Sequence, residues 1–310
     1  MACASVLTSA GVPVRLLDRG RRLGGRMASR TLRDSGTSFD GRVVDIGASY
    51  FTVSDPQFAA VVDELTAAGI VRPWTTGFHV AGTEGLEGVS GGSWRYAAPR
   101  GLRSVVDALA AGLPDVVLGT EVLRVDAAPG EVAVDGNPAA AAALCLPHPQ
   151  ARRLSPRFDF AGPVWEPVIA VTCVFAESTW PDVDGVFVND DPVLTWIADD
   201  GSRRGDQAPV LVAHVHPVLS ARHLADPQSV IPAAVATIQR VLGIRAYPDW
   251  VDAKRWAFAR PLAAEPGDFW IDESDPIGLA GDAFAGGPRI ESAWLSGHRL
   301  GAALAARLGA

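Results

Sequence analysis

Lysine is almost missing from this chain of 310 residues: Lys254 is the only one, and the basic side chains are otherwise nearly all arginine. Compositional bias of the gene explains this more simply than function does. Cysteine is scarce too. Cys3, Cys145 and Cys173 are the only three and none form a CxxC pair, so neither a disulfide framework nor a zinc site is expected. No apolar run reaches the roughly 18 residues of a membrane-spanning helix. Residues 1–11 lack the positive start of a secretory leader, and their apolar stretch is short. A reducing cytoplasm is therefore the expected location. The net charge of −8 argues against nucleic acid and anionic membranes as partners. No serine has a recognisable partner arrangement, which argues against a hydrolase. His214 and His216 share a face of an expected strand, but no third ligand is evident, so no metal is expected.

What is present suits a large folded core. The chain is 48% hydrophobic and 20% charged, and this hydrophobicity argues against disorder. Residues 1–10 read as a helix stopped by Gly11, and residues 12–17 as a buried strand ending in Asp18. Helix, glycine, strand and acid form the second half of a βαβ unit. Asp55 and Pro56 open a helix through Ala68, with Gly69 as its stop. Residues 71–96 read as irregular or strand structure, and 101–113 as an amphipathic helix. Strands are expected at 116–125, 131–134, 164–176, 186–189, 194–198, 210–217, 250–258 and 277–280, and helices at 231–242 and 291–308. The βα-type segments lie at both ends of the chain, with a strand-rich block between them. This predicts an α/β class: a discontinuous Rossmann-like domain carrying an inserted β-sheet domain.

Three features carry possible chemistry. An acid at the end of the second strand of a dinucleotide-binding fold accepts hydrogen bonds from a ribose, about 20 residues after the glycine motif. Asp18 fits that position, and it would equally serve to cap a strand end. Gly24, Gly25 and Arg26 follow it closely. Paired glycines let a backbone approach a pyrophosphate and arginine pairs with its oxygens, although such a turn also occurs without a ligand. Third, Gly281 and Asp282 end an apolar strand and precede Gly286, Gly287 and a helix. A carboxylate there can accept from hydroxyls, and a helix start favours negative charge.

Together these segments resemble the FAD-dependent amine oxidoreductase superfamily, most nearly its renalase-like branch. The likeness rests on LLDRGRRLGGRMASR (16–30), DIGASYF (45–51) with Asp55-Pro56-Gln57-Phe58, PRG (99–101), VLRV (122–125), RWAFARP (255–261) and residues 281–301. It implies FAD as cofactor and hydride transfer from a small substrate to the flavin, which O2 then reoxidises. It also implies roles for particular residues. Asp18, with Arg19 beside it, holds the adenosine ribose. Gly24, Gly25, Arg26 and Met27 face the pyrophosphate and ribityl chain. Gly47, Ala48 and Ser49 pass near the flavin ring, and Val122 meets adenine through its backbone. Gly281 and Asp282 bind near the ribityl or phosphate groups, while Glu291, Ser292 and Ala293 start a helix aimed at the pyrimidine edge of the ring.

The sequence departs from the family pattern at its start, where the first strand and GxGxxG loop are missing. The expectation is a start assigned too late, the alternative being a degenerate relative, and the chain as given is expected to bind FAD weakly or not at all. Catalytic residues are not legible; Lys254, Arg255 and Trp256 are weak candidates beside the substrate. The expected division is a FAD-binding domain at 1–72, 97–155 and 275–310, with a substrate domain at 73–96 and 156–274. Two other readings stay open: a protein that has lost catalysis, and an amine oxidase or desaturase acting on a polyamine, carotenoid or porphyrin precursor. The oligomeric state is not legible.

Overall fold

The computed structural model describes residues 1–128 and 131–310. The amino-terminal segment begins with α1 (Ala2–Ser9) and β1 (Leu16–Asp18), then β2 (Ser29–Thr31), β3 (Val43–Asp45) and α2 (Pro56–Ala67). A long hairpin, β4 (Arg72–Gly82) and β5 (Gly85–Ala97), leads to α3 (Arg103–Ala110) and β6 (Val116–Leu118). Four short strands follow: β7 (Val125–Ala128), β8 (Glu131–Val134), β9 (Asn137–Ala139) and β10 (Ala142–Leu144), and then α4 (His148–Leu154). The strand-rich block holds β11 (Trp165–Val174), β12 (Gly185–Val188), β13 (Leu194–Asp199), α5 (Asp200–Arg204), β14 (Val210–Val215), α6 (Pro217–Arg222), α7 (Ile231–Leu242) and β15 (Trp250–Pro261). The chain closes with β16 (Trp270–Ile271), β17 (Ile277–Leu279) and α8 (Ile290–Leu308).

Local sequence explains several boundaries. Asp55 caps α2 by accepting from Gln57 and Phe58, with Pro56 at the first helical position. Gly243 and Gly309 end α7 and α8 in the left-handed conformation. The strand expected at 12–17 is confined to Leu16–Asp18, because Val12 turns back to bond Leu7. The strand expected at 116–125 is two strands. β6 ends at Leu118, and Val122 lies in the connection before β7. There the Asp135 carboxylate accepts from the backbone N–H of Leu123 and Arg124, which bends the chain out of the first ladder.

Two sets of strands organise the molecule. The parallel pairs β1–β6 and β10–β17 belong to separate sheets, the second extended by β16. The large sheet has seven strands in the order β15-β11-β14-β13-β12-β4-β5. The stretch 71–96, for which the sequence leaves irregular and strand structure open, is a hairpin that forms one edge of this sheet, joined through the parallel pairing of β4 with β12. Alternation along β14 separates its two faces. Leu211, Ala213 and Val215 pack with Ile238 and Val241 of α7, while Val210 and Val212 pack on Leu32 and Val44 of the amino-terminal segment. His214 lies on the second face, which brings it to the junction between the sheet and the glycine-containing loops. α1 lies against α8, where a Cβ on Gly301 would come within 2.8 Å of the Cys3 carbonyl oxygen. No helix among the described residues is long and apolar enough to cross a membrane.

Candidate active site

The loop after β3 is fixed from several sides. The Ala48 N–H donates to the Arg26 carbonyl at 2.9 Å, joining the loop to the single helical turn Gly25–Met27. The Trp256 indole N–H donates to the Ile46 carbonyl at 2.6 Å. The Trp196 indole donates to the Ser49 hydroxyl at 3.0 Å. From beneath, the buried Arg203 donates to the carbonyls of Ser49 (3.1 Å) and Asp45 (3.3 Å). Gly47 is required here, since a Cβ would stand 2.1 Å from the Arg26 carbonyl oxygen and 3.3 Å from the Trp256 ring.

Arg203 belongs to a buried ionic cluster. Asp200 accepts from Arg203, Arg204 and Arg42, and Arg204 also approaches Asp45 at 3.3 Å. Burial alone would raise the Asp200 carboxyl, but the three guanidinium groups more than offset it and hold the acid well below its usual range. Asp45 in turn accepts from the Ser29 hydroxyl (2.6 Å) and the Leu102 N–H (2.9 Å), tying β3 to the start of α3.

Arg26 and Asp282 meet across the site, with one contact at 2.6 Å and a second, shorter one. Arg26 also donates to the Ala259 carbonyl at 2.9 Å and stacks over Trp165. Beside Asp282, at the carboxyl ends of β10 and β17, a cleft is lined by Leu146, His148, Phe160, Trp165 and Gly281. In open α/β sheets ligands bind at such strand ends. Asp18 ends β1 and accepts from the Gly20 N–H at 2.6 Å, closing its own turn; Arg19 is exposed. Glu291 faces the start of α2, accepting from the N–H groups of Ser54 and Asp55 and from the Ser54 hydroxyl. Burial opposes its charge, but these donors prevail and lower its pKa. Ser292 is buried and Ala293 half-buried in the first turn of α8, which has no side-chain cap at Arg289.

The three weak catalytic candidates separate. Trp256 contacts the Gly47 loop. Arg255 points to the other face, donating to the Leu224 carbonyl at 2.5 Å, and Lys254 is exposed on the Trp256 face. His216 leaves the His214 ladder to cap α6 by accepting from the Val218 N–H. Among the described residues no three His, Cys, Asp or Glu side chains cluster as metal ligands.

Several site residues were missed in the sequence. Arg203 and Trp196 lie in stretches without a motif, and their roles follow only from tertiary contact. The i, i+2 spacing of His214 and His216 shows a shared strand face and gives no sign that His214 neighbours Gly47. Arg103 has a buried Nε with no partner and stands beside Gly24. Burial and the charge of Arg22 both lower its pKa. An anion there would relieve both effects, which suits a diphosphate. The left-handed Gly25 and the positive φ of Gly24 leave that turn free of Cβ atoms that would block it. The residues present therefore fit a flavin dinucleotide.

Fold and site together define a flavin-type dinucleotide-binding oxidoreductase. Residues 1–65 match the NAD(P)-binding Rossmann-like domain and residues 69–304 the flavin containing amine oxidoreductase family. The chain belongs to the latter family, and it is an FAD-dependent oxidoreductase. Its fold is similar to that of a triple mutant of putrescine oxidase redesigned in cofactor binding (16% identity, TM-score 0.78). It is also similar to that of a candidate protoporphyrinogen oxidase from Exiguobacterium sp. 255-15 (15% identity, TM-score 0.76) and to wild-type putrescine oxidase bound to putrescine (14% identity, TM-score 0.67). Each alignment covers 99% of this chain and 96% of the other. At such identity these likenesses speak for the fold.

Proposed function

We propose that this chain oxidises a small reduced substrate in the manner of the renalase-like branch, with O2 as final electron acceptor. The single observation that carries the reading is the loop through Gly47, which packs against Arg26, Trp256 and Trp196 on one face of the large sheet. When bound, FAD supplies hydride acceptance, and the protein positions and shields the reactants. In this reading Gly47, Ala48 and Ser49 line the ring, and Arg26, Asp282 and Arg103 hold the ribityl-diphosphate portion. Asp18 takes the adenosine ribose and the Val122 connection meets the adenine. The large sheet with Trp256 and Trp196 walls the substrate space, which agrees with a division into a FAD-binding part (1–72, 97–155, 275–310) and a substrate part (73–96, 156–274).

The separation of β1–β6 from β10–β17 supports a further strand joining the two sheets, the place the resemblance gives to the strand before the glycine loop. FAD affinity is then highest in a form carrying that strand. The test is a titration of FAD into Arg103→Ala and the parent chain, followed by flavin fluorescence. One desolvated charge-assisted contact is worth about 1.5–3 kcal/mol, roughly tenfold or more in affinity. Equal affinity of the two proteins would remove Arg103 from the diphosphate site.

A further inference from the structure

Two of the three cysteines meet in the fold although the sequence has no CxxC pair. β10 and β17 run parallel with Ala143 beside Gly278 and Leu144 beside Leu279, and the Ala280 N–H donates to the Leu144 carbonyl at 3.0 Å. The next step of this ladder sets Cys145 beside Ala280. Side chains alternate across a sheet, so Ala141, Ala143 and Cys145 share the face of Gly278 and Ala280. α1 and α8 cover that face. A Cβ on Gly278 would strike Leu300, and Ala280 packs in one cluster with Cys3, Leu7, Leu300 and Leu304, with Ala141 against it. Cys3 of α1 and Cys145 at the end of β10 therefore come together over Ala280, and their thiols are in hydrogen-bond contact. A disulfide needs Cβ atoms about 3.5–4.5 Å apart, which thiols in such contact can reach by side-chain rotation.

The two sulfurs are unequal. Cys145 is exposed and Cys3 is buried. The hydrogen bond from Cys3 lowers the Cys145 thiol to about 7, and the same bond together with burial raises that of Cys3. The thiolate is the attacking form of cysteine. At neutral pH Cys145 is thus partly ionised and open to solvent, with a second thiol in place to resolve the product. Cys173 differs: it lies in the core on β11, and burial pushes its thiol up to about 12.

We propose that Cys3 and Cys145 form a peroxide-responsive dithiol, with Cys145 attacking and Cys3 resolving, whose disulfide ties α1 to the strand end leading into the cleft at Leu146 and His148. The Cys145 thiolate attacks one oxygen of hydrogen peroxide, the O–O bond breaks, and hydroxide leaves as a sulfenic acid forms. The Cys3 sulfur gives up its proton and attacks the Cys145 sulfur, the S–OH bond breaks, and a disulfide and water result. The two thiols together lose two electrons and two protons, and the peroxide becomes two waters. O2-linked flavin turnover releases an oxidant of this class, and only that source of peroxide rests on the reading proposed above.

The test adds hydrogen peroxide to the reduced full chain without FAD and follows free thiols, intact mass and linked peptides. Two of the three thiols should be lost, the mass should fall by about 2 Da, and Cys3 should be joined to Cys145 within one chain while Cys173 stays free. Cys3→Ser should stop at a Cys145 sulfenic acid that dimedone traps, and Cys145→Ser should keep both remaining thiols. The parent chain decides the matter if a variant fails to fold. Three thiols surviving peroxide in the parent, a Cys145–Cys145 link between two chains, or a Cys145 sulfenic acid that persists in place of the disulfide overturns the proposal. Because peroxide is added, a chain that fails to bind FAD sinks the flavin reading and leaves the dithiol standing.

Discussion

Arg26 and Asp282, 256 positions apart, form a two-pronged ion pair that closes the glycine turn onto the end of β17. The pair is largely shielded, with side chains 29% and 10% exposed. Such pairs couple more strongly than surface ones. A double-mutant cycle of Arg26→Ala and Asp282→Ala, read by urea unfolding, should give a coupling energy of about 1–3 kcal/mol. Simple additivity of the two variants would mean that the contact does not hold the turn.

Gly47 is predicted to be irreplaceable. Because the atom it would strike is a backbone oxygen, no rotamer change relieves the contact. Gly47→Ala should therefore destabilise the chain by about 1–3 kcal/mol in urea unfolding. It should also weaken FAD binding, since relief requires moving the Arg26 turn or the Trp256 ring. Wild-type stability in this variant would contradict the close approach.

Asp200 neutralises three arginines from inside the protein. Asp200→Asn leaves Arg203 buried without a counterion, while Arg204 keeps Asp45 and Arg42 keeps Asp206, and a loss of about 3–5 kcal/mol is expected. The urea midpoint measures it. A loss below about 1 kcal/mol would show that water reaches the cluster.

The pH dependence of stability is predicted to carry a His214 component. The folded pKa of about 4 lies below the ordinary 6.5. Between those values the unfolded chain takes up a proton that the folded chain refuses. Stability is thus full above pH 6.5 and falls as the pH drops toward 4, by up to roughly 3 kcal/mol from this group. Asp200 acts in the same direction at lower pH, because its depressed pKa gives stability that is lost as the acid protonates. Unfolding midpoints measured from pH 4 to 8 should slope less in His214→Gln than in the parent. Identical slopes would mean that His214 already carries its proton when folded.

The parts of this molecule that could be read from sequence are those where local chemistry decides. Asp55, Pro56 and Gly69 bracket α2, and the GGR and DIGASYF stretches contain the glycines that the turn and the Gly47 loop need. The β4–β5 hairpin was not legible as a sheet edge, because its many glycines and exposed positions hide the alternation. The break between β6 and β7 was missed because Asp135, which causes it, lies 11 and 12 residues beyond the two amides it binds. The ionic cluster is long-range by nature. Arg203 reaches Ser49 and Asp45 across 154 and 158 positions, so no spacing rule could have shown it.

The most direct test of the account is an FAD titration followed by the visible flavin spectrum. It is made on the chain as given and on a form extended upstream in frame by the preceding codons of the gene. The account predicts a bound, oxidised flavin in the extended form, weaker binding in the shorter one, and a further weakening in both on Gly47→Ala. Two folded proteins that leave added FAD entirely free would contradict it.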